Sequence, residues 1–164
     1  MKKTFLAMTV LVFVLVGTSY LCLAAAPPQA DVKLVSVDLS KASASFSVVM
    51  MAPEGAAATE DFGTVLVKKG AIFQVEVSSS PKDIAALKKE ILANTLNKLK
   101  KFYVETADAL LYESTLMGKS EFHFLANVKA GNSTYGAEDT KGPVYTKANV
   151  ELMLKCFQTL KSKA

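Results

Sequence analysis

The sequence predicts an α+β fold: an antiparallel β-sheet with one long central helix and a C-terminal helix packed on it. Three observations lead there. Ala109 to Ala137 reads as three strands joined by two glycine turns, Met117-Gly118-Lys119 and Gly131-Asn132. Upstream of this meander, short runs of alternating apolar and polar residues mark further strands. Two stretches have helical spacing, one opening at Ser80-Pro81-Lys82-Asp83 and one at Thr146 or Lys147.

The chain opens with Met1-Lys2-Lys3, an apolar run from Phe5 to Val16, and the small residues Ala24-Ala25-Ala26. That is the layout of a secretory signal peptide. The expected organisation is a signal peptide over 1–24, a short linker over 25–31 and a single α+β domain over 32–164. Pro27 disfavours cleavage after Ala26, which moves the site to Ala24 or Ala25. The alternative is an uncleaved anchor giving a membrane-tethered domain, because about 20 apolar residues can span a bilayer. Gly17, Thr18, Ser19 and Tyr20 interrupt the run and favour cleavage. Cys22 follows Ser19-Tyr20-Leu21, a poor match to a lipid-modified cysteine, which wants a small residue just before it. The Lys-Lys start has a bacterial look, so the expected location is periplasmic or secreted.

All nineteen cationic residues are lysine, against fifteen acids. Losing Lys2 and Lys3 with the signal leaves the two signs nearly balanced. Without arginine the chain lacks the usual bidentate grip on phosphate, carboxylate and guanine, so no nucleic-acid partner is expected. Cys156 is the one cysteine beyond the signal. No intramolecular disulfide and no cysteine metal site is then available.

Within the domain, Val32–Leu39 and Ala44–Met50 read as strands, the second with Ala44, Phe46, Val48 and Met50 on one face. Pro53-Glu54-Gly55 ends it, and Ala56 to Gly63 reads as a mobile loop. Thr64–Val67 and Ala71–Val77 form a hairpin across Lys68-Lys69-Gly70, with Val65, Val67, Phe73, Val75 and Val77 sharing a face. Ser80 suits a helix cap and Pro81 the first helical position, with Asp83 at the capping-box position. Ile84, Leu87, Ile91, Thr95, Leu99 and Phe102 carry the helix to about Phe102. Lys82, Lys89 and Lys100 then share the opposite face. That stripe reads as solvated; its alternative is docking on an acidic partner or an anionic membrane.

The meander is phased by requiring one apolar face. A three-residue loop, Met117-Gly118-Lys119, sets Ser114 opposite Phe122 and Tyr112 opposite Phe124. It puts Leu110, Tyr112, Leu116, Phe122, Phe124, Ala126 and Val128 together. The second turn needs two residues, with Gly131 first as in a type II′ turn, and Val128 then faces Tyr135. On the other face His123, the only histidine, lies opposite Glu113 and two residues from Glu121. Asp139 to Pro143 breaks the chain. The final helix buries Val150, Met153, Leu154, Phe157 and Leu160, with Cys156 beside them as a structural cysteine.

Two stretches carry a family likeness. Phe46 to Gly55, Phe-Ser-Val-Val-Met-Met-Ala-Pro-Glu-Gly, resembles the early "Phe-x-Val-x-x-Pro" strand and turn of the PsbP-like proteins. That family is named for an extrinsic subunit of the photosynthetic oxygen-evolving complex and has DcrB-like envelope relatives in bacteria. Leu111-Tyr112-Glu113, Asn127 to Tyr135 and Phe157 resemble its closing strands, glycine turn, tyrosine and terminal helix. The likeness spans about Leu34 to Leu160. It implies an α/β/α sandwich, an extracytoplasmic location and accessory or assembly roles, with no catalytic machinery.

The reading that follows is a non-catalytic periplasmic accessory or binding protein that assists or docks on an envelope or membrane complex. It has an unidentified envelope protein as partner, proximity to the membrane surface, and no cofactor. There is no nucleophile elbow, phosphate loop or Cys/His metal spacing. The rival is a metal-binding or enzymatic domain using His123 with Glu113 and Glu121, since one imidazole and two carboxylates can hold a divalent ion or move a proton. Otherwise the three are a solvated cross-strand cluster with His123 at the surface. Asn132-Ser133-Thr134 matches a glycosylation acceptor and, in a bacterial chain, reads as part of the turn.

Overall fold

A computed structural model describes residues 32–163; the predicted signal peptide and linker lie outside them. The described chain is α+β, with antiparallel strand pairing and two helices. Strands β1 (Leu34–Asp38) and β2 (Val48–Pro53) pair antiparallel, and the short C-terminal β10 (Lys161–Ser162) adds to the other edge of β2. The larger sheet contains β3 (Ala57–Asp61), β4 (Thr64–Lys69), β5 (Phe73–Ser78), β6 (Lys98–Glu105), β7 (Ala109–Leu116), β8 (Lys119–Ala130) and β9 (Ser133–Asp139). Their order is β3-β4-β5-β9-β8-β7-β6. The helices are α1 (Ile84–Ala93) and α2 (Lys147–Phe157). No helix among the described residues is long and apolar enough to cross a membrane.

The helices cover opposite faces of the larger sheet. On one face Leu110 and Leu125 pack with Ile84, Leu87 and Ile91 of α1. On the other, Val65, Val67, Val75, Val77, Leu111, Phe124 and Ala126 form the main core with Val150, Met153, Leu154 and Phe157 of α2. Val48, Met50 and Ala52 of β2, with Phe46 just before the strand, close that core from the smaller sheet's side. Leu110 and Leu111 are neighbours in sequence and both are buried, one on each face.

That double coverage corrects the phasing of the meander. Requiring a single apolar face assumes that the other is wet, which holds only for a sheet covered on one side. Here β7 and β8 are joined by two residues, Met117 and Gly118, with Leu116 opposite Lys119, Tyr112 opposite His123 and Leu111 opposite Phe124. Met117 (φ 50°) and Gly118 (φ 79°) both take left-handed conformations, the signature of a type I′ turn. Phe122, Phe124 and Ala126 keep their expected face, and every residue of β7 moves to the opposite one. The second turn is as expected: Val128 faces Tyr135, and Gly131 has a positive φ (62°) where Asn132 does not.

The long central helix is also corrected. α1 has ten residues, capped by Asp83, whose carboxylate accepts from the Ala86 N–H at 2.9 Å. It ends because the Asn94 side chain accepts from the N–H groups of Leu96 (3.0 Å) and Asn97 (2.9 Å), which turns the chain. The stretch beyond, with Phe102-Tyr103-Val104, has β-forming residues and becomes β6. Leu99 and Phe102 fit a helical period and a strand period equally well. Lys98, Lys100 and Lys101 mark β6 as a sheet edge, where lysine deters further pairing. Ala56 to Gly63, expected as a loop, holds β3, paired with β4 along five residues. The β4–β5 faces are as expected, with the loop displaced to Gly70-Ala71-Ile72.

The entry to α1 is fixed by Asn127 of β8. Its side-chain oxygen accepts from Lys82 N–H at 2.7 Å, and its amide donates to Lys82 C=O at 2.8 Å. Residues 80–82 therefore lie close over Gly136 of β9. A Cβ there would sit 2.8 Å from both Ser80 C=O and Lys82 Cγ. Gly136→Ala is expected to cost about 1–3 kcal/mol as an overpacking change. An unchanged urea midpoint would show that the 80–82 segment yields.

α2 begins where the sequence places it. Thr146 caps it in a reciprocal box with Asn149, and Val150, Met153, Leu154, Phe157 and Leu160 are buried. Cys156 is fully buried and free, and burial pushes its thiol up to about 11. The thiolate is the reactive form, so iodoacetamide at neutral pH is expected to label Cys156 only after denaturant is added. Mass mapping checks this, and rapid native labelling would contradict it.

Candidate functional site

A pocket of about 190 Å³ opens where two elements stop short. β9 ends at Asp139, while its neighbour β8 continues outward to Lys119. α1 ends at Ala93, so its cover over that face of the sheet ends as well. Ile91 and Leu125 give the pocket an apolar wall. Tyr112, Ser114, His123 and Asp139 supply its polar side, and Asn94, Asn97, Phe124, Glu138 and Lys141 complete the lining.

His123 reaches the pocket by strand alternation. Phe124 points into the main core, so His123 takes the α1 face, beside Tyr112 on β7 with the ring centroids 5.3 Å apart. Its Nδ1 lies 2.8 Å from Asp139 Oδ2, and the other Asp139 oxygen accepts from the Phe124 N–H at 2.7 Å. Asp139 is thus the stop that closes β9: its side chain takes the Phe124 backbone donor where the ladder with β8 runs out. Glu121 Oε2 lies 3.7 Å from His123 Nε2, too far for a hydrogen bond.

Burial is the largest single influence on His123 and disfavours its charged form. The Asp139 hydrogen bond and the charges of Asp139 and Glu121 together outweigh it, and the pKa lies above the ordinary value. Burial raises the pKa of Tyr112, with help from Asp139 and Glu138.

The structure separates Glu113 from His123. Glu113 stands opposite Phe122 on the other face of the sheet. Lys100 Nζ donates to it at 2.6 Å and Tyr103 OH at 2.9 Å. Lys100 first, then the Ser120 and Tyr103 hydroxyls, lower its pKa to about 2. The trio His123, Glu113 and Glu121 is therefore not a cluster, because the register is one residue from that expected. Asp139 and Glu121 approach opposite nitrogens of the ring and do not converge on one point. Among the described residues no group of three or more His, Cys, Asp or Glu is placed to hold a metal ion. His123, expected at the surface, is partly buried, its side chain 24% exposed.

The lysine stripe is dispersed for the same reason as the long helix. Lys82 precedes α1 and pairs with Glu138 at 2.6 Å, Lys89 is exposed on α1, and Lys100 belongs to β6.

Sequence reasoning missed Ser114. It lies on the pocket face two residues from Tyr112, is 1% exposed, and its Oγ has no hydrogen-bond partner. Ser114, His123 and Asp139 are the residue types of a hydrolytic triad, but no hydrogen bond joins Ser114 to His123. What the site offers is hydrogen bonding: an imidazole oriented by Asp139, a buried hydroxyl and a lysine beside an apolar wall. The chain matches no protein-family model, no curated protein and no solved structure.

Proposed function

We propose that the chain is a non-catalytic, extracytoplasmic accessory protein of PsbP-like type that docks on an envelope complex. The signal layout, the motif resemblance, and an antiparallel α+β architecture with helices on both faces of a sheet support the reading. The observation that carries it is where the exposed apolar side chains lie. Of seven large ones among the described residues, Ile72, Leu92, Leu96, Met117 and Val144 lie on connections at one end of the larger sheet. They stand on the β4–β5 loop, the end of α1 and its following turn, the β7–β8 turn, and the loop after β9, all of which leave the sheet at the end where Asp139 lies. One or two exposed apolar groups need no explanation, whereas five on the connections at one sheet end favour a partner there.

Lys98, Lys119 and Lys141 are exposed at the same end and form no salt bridge among the described residues. The surface thus suits a protein partner with an apolar patch edged by carboxylates. Met117 occupies a left-handed position where asparagine or glycine is at ease. Met117→Asn therefore removes apolar surface without loss of stability.

A photo-reactive residue at Leu96 in cells producing the protein is expected to give one discrete adduct with an envelope protein. The same residue at Asn132, in the turn at the other end of the sheet, should give none. Met117→Asn should deplete the Leu96 adduct. No adduct from Leu96, or equal adducts from both positions, would remove the basis for this reading.

A further inference from the structure

We propose that the pocket beside His123 binds a small organic carboxylate carrying a short apolar chain. The inference rests on the pocket, which shares only Lys141 with the residues named for the docking surface.

The hydrogen-bond inventory sets the chemistry. Most acceptors in the pocket are committed. Asp139 uses one oxygen for Phe124 N–H and the other for His123. Glu138 is held by Lys82 at 2.6 Å, and the Asn94 oxygen by two backbone N–H groups. The donors are free. With Nδ1 on Asp139, the ring when protonated directs its Nε2–H away from that carboxylate. The Ser114 hydroxyl is buried and unpartnered. Lys141 lines the pocket with its ammonium free of any salt bridge among the described residues. Asn97 Oδ1 is also unpartnered, and a half-turn of its amide presents a further donor.

A buried hydroxyl left without a partner costs about 1–3 kcal/mol, so Ser114 Oγ calls for a group from within the pocket to satisfy it. A carboxylate placed between Ser114 and Nε2 would satisfy both. Glu121 stands across from Ser114 in the β7–β8 register and pairs with the ring at long range, without a hydrogen bond. Its distance of 3.7 Å from Nε2 leaves that donor open, and its charge opposes an anionic ligand. The apolar wall of Ile91 and Leu125 then receives the ligand's chain. About 190 Å³ limits the guest to roughly six groups the size of a water molecule. An apolar wall with a few convergent polar groups is the usual make-up of a small-molecule site.

The test is titration of the purified protein with sodium butanoate, with 1-butanol and butylammonium chloride as controls. Backbone amides and the His123 ring are followed by NMR. Saturable shifts at Ser114, Tyr112 and Leu125, half-complete below about 1 mM and absent with both controls, are expected. Ser114→Ala and Lys141→Gln should each weaken binding about tenfold. Ser114→Ala deletes an unpartnered buried hydroxyl and should fold at least as stably as the parent. Lys141 is exposed, so a loss in either variant reports on binding. No saturable shifts, an equal response to the alcohol, a preference for butylammonium, or unchanged binding in both Ser114→Ala and Lys141→Gln would each overturn the proposal.

Discussion

Phe124→Ala is expected to destabilise the protein by about 3–5 kcal/mol, and Phe122→Ala by well under half as much. Strand alternation puts both rings on the α2 side of the larger sheet, and sequence alone would treat them alike. The structure does not. Phe124 is fully buried among core residues from both sheets and α2. Phe122 lies past the last β8–β9 pair, Leu125 with Glu138, so no strand flanks it on that side. It is partly exposed and leans on Tyr103 of the edge strand at 6.1 Å between ring centroids. The loss at Phe124 combines its transfer free energy with a cavity that surrounding strands cannot collapse into. Urea melts of the two variants measure the difference. Equal losses would mean that the core extends beyond the end of β9.

The fate of Leu111 shows what the sequence could and could not disclose about the fold. Its neighbours Leu110 and Tyr112 suit a covered face as well as it does, so apolar content cannot choose the phase of β7. The choice is made by the turn, where Met117 adopts a conformation that few methionines take. α2 was legible because Val150, Met153, Leu154 and Phe157 repeat at helical spacing behind a clear cap. The β4 and β5 faces were legible because valines alternate strictly. The second half of the predicted central helix was not, because Leu99 and Phe102 satisfy both periods and the decisive residue, Asn94, acts through a local turn.

The site was half legible in the same way. His123 drew attention as the only histidine. Its partner Asp139 read as the start of a chain break, since nothing local says that a carboxylate ending one strand will cap the backbone of the next. Ser114 was hidden by the one-residue phase error, which placed it on the wrong face.

Asp139→Ala is expected to cost about 3 kcal/mol, because it strands the Phe124 N–H and removes the counter-charge of His123. Asp139→Asn should cost less, as its side-chain oxygen can still accept from Phe124, but it removes the charge. The two variants separate backbone capping from ion pairing. The pH dependence follows from the direction of the His123 shift. Its folded pKa is raised above the ordinary 6.5, so the protonated ring contributes stability that is complete below that value. The contribution disappears as pH rises through the folded pKa. His123 is the only histidine in the chain, so a change in stability between about pH 6 and pH 8.5 reports chiefly on this ring. The parent is expected to have a lower urea midpoint at the higher pH, and Asp139→Asn to lose most of that difference. A parent midpoint that does not move across this range would mean that the Asp139–His123 contact contributes nothing as an ion pair. A loss below about 1 kcal/mol in Asp139→Ala would mean that Asp139 does not hold the end of β9.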